Sequence, residues 1–471
     1  MRPKKGVKDG VPATVQPLNG RNFRITDPEA LFGGGPKDKF SRNKAAIETF
    51  DLVTLENRAP TDAERDAMAA FIGWGSFGQE LFNGTWDRPQ PKDGWETEDK
   101  WLRNQLGKDA WESAQSSIIN AHFTDPFTVG TMWEMVRKAG FKGGRVLEPS
   151  MGIGNFFGMM PADMAVRSEL TGIEMEPTTG GMAKLLYPDA NIQIKPYQDS
   201  QTPDGFYDLV IGNWPFSEQR TADRRYNQLA PTLHDYFFLK ALDQVRPGGL
   251  VIGVTSAGTM DKVASHIRLE MSNKADLVAS FRLPSGAFKR YAGTQVVTDI
   301  VILRKKTDTS GISTPPAWVN VSETDATRSG RNVRVNNYFI HNPQNILGDL
   351  DFITTGSGKL YGRPAMYVHR PDDFEQRMAA IPRAIPADTY KEDSAERKVR
   401  YVSNSTGDRI NSVLTGEDGK LYVSRGDQMA PIEDVFRIKV KSTKETQERF
   451  AEIGELVAIR KTLGQLMDAQ R

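Results

Sequence analysis

Four consecutive residues in "DLVIGNWPF", Asn213, Trp214, Pro215 and Phe216, place an amide, two large aromatics and a proline at the end of an apolar run. An amino group conjugated to a heteroaromatic ring is a poor nucleophile because its lone pair is delocalised. Two acceptors on its two hydrogens, the Asn213 side-chain oxygen and the Trp214 backbone carbonyl, would draw the nitrogen toward tetrahedral geometry and free that lone pair. Pro215 fixes the turn that aims the carbonyl, and Phe216 offers a face on which an extruded base can stack. The pattern suits chemistry on an exocyclic amine, although taken alone it also fits an Asn-Pro turn with core aromatics.

What lies upstream decides between these. The run "RVLEP" leads into "SMGIGNFF", where Gly152 and Gly154 let a backbone turn approach a ligand closely. The turn departs from the dinucleotide fingerprint, because Phe157 stands where a third small residue belongs. About twenty residues further on, "GIEME" offers Glu174, with Glu176 as the competing choice, to accept hydrogen bonds from ribose hydroxyls. After the next run, Gln198 or Asp199 could bond an adenine amino group. Together these residues would place a nucleoside along successive strand ends, beside the amine-directed tetrapeptide.

The elements that must position them are short β-branched runs at 145–149, 170–174, 191–194, 207–213, 249–256, 275–283 and 296–306, mostly alternating with helical segments. That alternation predicts a Rossmann-like, doubly wound α/β sheet, with the last two runs as an antiparallel pair closing one edge. Residues 1–40, rich in Gly, Pro and Lys, read as a flexible arm. Residues 41–117 form a helical N-terminal extension in which Thr61 and Glu64 make a capping box. The sheet domain runs over 118–306, a linker over 307–335 and a small α+β module over 336–441. An amphipathic C-terminal helix over 442–471 opens on a capping box of Ser442 and Glu445 and carries Phe450, Ile453, Leu456, Val457, Leu463 and Leu466 as a stripe that needs a partner surface.

Composition narrows the chemistry. The 471 residues carry a net charge of +1, so a nucleic-acid site must be a local basic patch; "ERKVRY" and "RIKVK" in the C-terminal module are candidates for it. The chain has no cysteine, which removes thiolate metal sites and covalent attack on cytosine carbon 6. Its five histidines show no metal-ligand spacing, and no metal is expected. Neither a membrane span nor a signal peptide is evident, which points to the cytoplasm.

The segments "VLEPSMGIGNF", "GIEME", "DLVIGNWPF" and "HDYFFLKALDQVRPGGLVIGVTS" resemble the motifs of amino-group DNA methyltransferases that use S-adenosylmethionine. They are closest to the methyltransferase portion of phage and plasmid antirestriction proteins, in which a helicase follows. The resemblance extends to "AHFTDPFTVGTMW" and "GWGSFGQELF", and it covers about Ser41 to Lys306 well and the remainder loosely. It implies a class I methyltransferase fold, with Phe123, Thr124 and Pro126 at the methionine end of the cofactor. Glu148, Pro149, Gly152 and Gly154 would cradle the cofactor, and Glu174 would hold its ribose. Asn213, Pro215 and Phe216 would take the target amine, with His234, Tyr236 and Phe237 either beside the ligands or simply in the core. Motif order implies adenine N6 rather than cytosine N4 in double-stranded DNA, with the base flipped out, in a host cytoplasm or a virion. Trp214 departs from the second proline usual at that position, and Trp214→Pro is expected to retain activity if packing allows. No Walker A motif is present, since in "TGSGKL" Leu360 replaces the Ser or Thr and Ile353 the first glycine. A helicase module would therefore act from elsewhere in a longer chain or in trans. The rival readings are a protein glutamine N5-methyltransferase and a non-catalytic DNA-binding antirestriction scaffold.

Overall fold

The computed structural model describes residues 21–28, 31, 33–117, 124–217, 219–287, 296–308, 314–353, 365–392 and short stretches between 402 and 462. Its N-terminal part is built mainly on α1 (Pro36–Leu55), α2 (Asp62–Ala69) and α3 (Glu96–Ser117), the last kinked at Gly107. The capping box at α2 forms as expected: Glu64 N–H donates to Thr61 Oγ1 at 3.3 Å and Thr61 N–H to Glu64 Oε2 at 2.7 Å. These helices bury Phe40, Trp74, Phe77, Phe82, Trp95 and Trp111 in an aromatic cluster joined to one face of the central sheet.

After α4 (Pro126–Lys138), that sheet is built from β1 (Arg145–Glu148), β2 (Glu169–Glu174), β3 (Asn191–Ile194), β4 (Tyr207–Asn213), β5 (Val245–Ser256), β6 (Ala275–Arg282) and β7 (Thr298–Lys305). Their order is β3-β2-β1-β4-β5-β7-β6. β1 to β5 pair in parallel, while β7 runs antiparallel to both β5 and β6. Helices α5 (Pro177–Leu186), α6 (Leu233–Gln244) and α7 (His266–Lys274) complete the layers. Successive strand residues serve opposite faces. Leu209, Ile211, Ile300 and Ile302 join the core with α4 and the N-terminal helices, whereas Val210, Val301 and Leu303 join the core under α6 and α7. A sheet buried on both faces explains why the strands read as continuous apolar runs rather than alternating ones.

Three stretches differ from the sequence expectation. Within the expected arm, Phe23 N–H donates to the Leu186 carbonyl at 2.8 Å and Ile25 N–H to the Gly158 carbonyl at 3.0 Å, so residues 21–25 are laid onto the domain. Within the expected linker, Trp318 and Val319 are buried, Arg268 Nε donates to the Val319 carbonyl at 2.8 Å, and β8 (Val321–Thr324) pairs with β9 (Val333–Asn336).

Beyond it, β10 (Asp349–Ile353) and β11 (Ala365–His369) form a second hairpin, joined to the sheet domain by Ser285 N–H donating to the Val368 carbonyl. The chain then crosses to the opposite end of the sheet. There Tyr390 N–H donates to the Ala139 carbonyl, and Arg246 Nη2 reaches the Tyr390 hydroxyl at 2.7 Å. Arg246 also meets Asp208, which in turn accepts from the Arg145 backbone N–H and guanidinium. Charged groups this deep are stable only when matched in this way.

A separate four-stranded sheet follows, formed by β12 (Val402–Ser403), β13 (Val413–Thr415), β14 (Leu421–Ser424) and β15 (Gln428–Pro431) in the order β12-β15-β14-β13. The two basic stretches, the "TGSGKL" segment and the Ser442–Glu445 cap lie outside the described residues. Of the final stripe, Ile453 and Leu456 are exposed.

Candidate active site

Chain direction assembles the site. All five parallel strands end at one edge of the sheet, and the short connection from α4 to β1 brings the start of α4 to that same edge. Proline at the first helical position and Asp125 as N-cap, accepting from Thr128 N–H at 3.0 Å, set this helix start. Thr124 beside them is buried, and Phe123 lies outside the described residues.

The turn after β1 is left-handed at both Gly152 (φ 54°) and Gly154 (φ 88°), conformations that disfavour any other residue. A Cβ on Gly154 would stand 2.4 Å from the Tyr187 ring. Gly152 N–H donates to Glu174 Oε2 at 2.9 Å, which fastens the glycine turn to the end of β2. The Ser150 hydroxyl donates to the Asn213 carbonyl at 2.8 Å, which fastens the same turn to the end of β4. The expected glycine turn, acid and tetrapeptide therefore meet at one place.

The two candidate ribose acids have different surroundings. Both Glu176 oxygens cap α5, accepting from Thr178 and Thr179 N–H. Glu174 accepts from the backbone N–H groups of Gly152 and Glu176, and burial pushes its carboxyl up to about 7, with the Glu176 charge adding to the rise and the backbone hydrogen bonds opposing it. Glu148, at the end of β1, is fully buried, and its Oε2 has no hydrogen-bond partner. Burial first, and the Glu174 charge second, hold it well above the ordinary carboxylate range. Two neighbouring acids of which one lacks a partner form a donor-seeking site. Beside them Met175 is 68% exposed, an apolar side chain between two glutamates that sequence reasoning overlooked.

Pro196 leads into a turn, Tyr197–Asp199, that Lys240 holds by donating to the carbonyls of Tyr197 (2.8 Å) and Gln198 (3.3 Å). Gln198 is half-buried and Asp199 exposed, so either side chain can reach a ligand. Tyr236 and Phe237 are core residues beneath this turn, their rings 6.0 and 4.8 Å from Tyr197. His234 is buried beside Thr232, Asp235 and Lys262.

Asn213, Pro215 and Phe216 are half-buried at the mouth, whereas Trp214 is 1% exposed. Its backbone N–H donates to the Val254 carbonyl at 3.0 Å, and its ring lies in the space left by two glycines. A Cβ on Gly253 would stand 2.2 Å from the indole nitrogen and one on Gly212 2.9 Å from a ring carbon. Phe237 and Phe238 complete its contacts at 5.8 and 5.6 Å. The side chain is structural, so the packing condition on which Trp214→Pro was expected to retain activity is not met.

Glu174 links pH to stability. Its folded pKa lies above the unfolded value, so between the ordinary glutamate range and about 7 the folded protein binds more protons than the unfolded chain. Stability from this group is thus present at low pH and lost as pH rises through about 7. Glu174→Gln is expected to remove that part of the pH dependence of Tm, measured by thermal denaturation from about pH 5 to about pH 8. A difference between variant and wild type that stays constant with pH would contradict this.

The strand order with β7 reversed, together with the glycine turn tied to the acid of β2, defines an α/β fold of the class I, S-adenosylmethionine-dependent methyltransferase type. No protein-family model matches the chain. Over 204 residues, 41% of this chain, it is 31% identical to Defense against restriction protein B of Escherichia phage P1, and it spans 9% of that protein's length. Among solved structures it is similar to a modification subunit of a putative type I restriction enzyme from Vibrio vulnificus, at 18% identity, 45% of this chain, 48% of that chain and a TM-score of 0.33. It is also similar to a putative class I S-adenosylmethionine-dependent methyltransferase from Listeria monocytogenes, at 14% identity, 59% of this chain, 90% of that chain and a TM-score of 0.35. At those scores the topology rests on the strand order itself. Over those 204 residues the chain is similar to a phage antirestriction protein, and its sheet has the strand order of a methyltransferase-type fold. Among the described residues, no helix is long and apolar enough to cross a membrane, and no group of three or more His, Cys, Asp or Glu could hold a metal ion.

Proposed function

We propose that the chain transfers a methyl group from S-adenosylmethionine to the N6 amine of an adenine flipped out of double-stranded DNA. The observation that carries this is the junction of the glycine turn with Glu174 on one side and Asn213 on the other. The residues fit the cofactor. Glu148, whose buried carboxyl oxygen has no partner, would take its cationic amino-acid end, Glu174 would accept from its ribose hydroxyls, and exposed Met175 would give its adenine an apolar surface. Gln198 or Asp199 would bond the adenine amino group, and Thr124, Pro126, Pro149, Gly152 and Gly154 would close around the ligand.

S-adenosylmethionine supplies an electrophilic methyl group when bound. The chain's own residues supply position and polarity. Asn213 Oδ1 and the Trp214 carbonyl accept the two amine hydrogens, Pro215 fixes the turn between them and Phe216 stacks on the base. Trp214 acts through its backbone only. Methylated adenines escape restriction cleavage, so the reaction suits a relative named for defence against restriction. A helicase module would act in cis in a longer protein or in trans.

The test is transfer of label from S-adenosylmethionine to duplex DNA and, in parallel, to a protein glutamine substrate. Label in DNA alone is expected. Label in protein alone would replace the reading with an amide methyltransferase, and binding of DNA without transfer would replace it with a scaffold.

A further inference from the structure

Between Phe216 and α6 the chain makes an excursion, residues 217–232, that begins one residue after the tetrapeptide. Its base is closed by Leu233 N–H donating to the Ser217 carbonyl at 3.3 Å. Its inner side is fastened at several points. The Tyr236 hydroxyl donates to Asp223 at 2.8 Å and the Tyr226 hydroxyl to Asp243 at 2.7 Å. Burial pushes both phenols far above their ordinary range, so they remain donors. Arg225 pairs with Asp204 at 2.6 Å and Asp243 at 3.1 Å, and His266 meets the Leu229 carbonyl at 3.1 Å.

Asp223, the acid in the described part of this loop, is thus turned inward and matched. Arg220 and Arg224 are exposed, and neither has an ion pair or hydrogen bond among the described residues. Arg220 follows Phe216 by four positions, which places its Cα within about 14 Å of that of Phe216 by chain length alone. The backbone flanking a base stacked on Phe216 would lie within reach of an arginine at that distance. A protein of net charge +1 needs such a local concentration of cations to hold DNA. A loop already fixed before binding avoids the ordering cost that a floppy basic segment would incur.

We propose that residues 219–232 form a preset phosphate clamp, with Arg220 and Arg224 gripping the backbone of the DNA strand that carries the target base. The inference rests on the reading of Asn213–Phe216 as a base-receiving site. It is tested on the full chain by duplex-DNA binding, read by fluorescence anisotropy across a salt series. Arg220→Gln with Arg224→Gln should lower the slope of log affinity against log salt by about 2, roughly one per lost phosphate contact. Cofactor affinity by calorimetry and turnover at saturating DNA should stay unchanged. Arg220→Lys with Arg224→Lys should restore the slope, since a phosphate accepts any point charge. Arg167→Gln, an exposed arginine just ahead of β2 at the opposite edge of the sheet, should leave the slope as in wild type. An unchanged slope in the glutamine variant of an actively methylating protein overturns the clamp alone, as does a loss of cofactor affinity in that variant. Absence of DNA binding and methylation in the wild type overturns the clamp together with the reading beneath it.

Discussion

Asn213→Ala should lower turnover on DNA by on the order of 10² to 10³ while leaving cofactor and DNA affinities within about twofold of wild type. The amide oxygen is needed most when the amine nitrogen becomes tetrahedral, and interactions strengthened only in the transition state act on rate rather than on binding. Asn213 is well placed for a selective loss. Its backbone is held by the β4–β5 ladder and by the Ser150 hydroxyl, so truncating the side chain leaves the strand end where it is. Single-turnover kinetics with separate calorimetric titrations measure the two quantities. A proportional loss of rate and affinity would instead make Asn213 a packing residue.

Trp214→Pro should destabilise the domain by about 3 to 5 kcal/mol, the range for truncating a large buried aromatic, and lower Tm by on the order of 10 °C. Proline removes both the indole and the backbone N–H that donates to the Val254 carbonyl. The sharper form of the test is a double-mutant cycle with Gly253→Ala. The added methyl collides with the indole in the wild-type background, 2.2 Å from its nitrogen, and fills vacated space once the indole is gone. Gly253→Ala should therefore destabilise the wild type and be neutral or stabilising beside Trp214→Pro. Additive effects on Tm would contradict the packing account.

That pair of residues marks where the sequence stops being informative. The strands were legible because each is a β-branched run bounded by turn residues, and "NIQI" matches β3 from end to end. The edge pair was legible because too little chain separates the last two runs for a crossover helix. The complementarity of Trp214 with Gly212 and Gly253 was hidden, since it joins two strands about forty residues apart and neither glycine announces which ring will cover it. For the same reason residues 21–25 and 317–319 read as arm and linker. Their Gly- and Pro-rich surroundings outweigh a few apolar side chains whose partners, Leu186 and Gly158 for one and Arg268 for the other, are distant in sequence.

In the site, Gly152, Glu174 and Asn213 were visible as types at the right spacing. The different surroundings of Glu174 and Glu176 were not, because they depend on which acid caps α5. The packing of residues 317–353 and 365–391 onto the sheet also changes how DNA contacts in the C-terminal part should be sought. A chain ending after Lys391, rather than after Lys306, removes the four-stranded sheet and both basic stretches while keeping Trp318 and Tyr390 in place.

Nucleoside mass spectrometry of DNA from cells expressing the chain tests the central claim most directly. Wild type should yield N6-methyladenine and no N4-methylcytosine, and Asn213→Ala should yield neither above background. N4-methylcytosine in place of N6-methyladenine, or N6-methyladenine at wild-type level from Asn213→Ala, would contradict it.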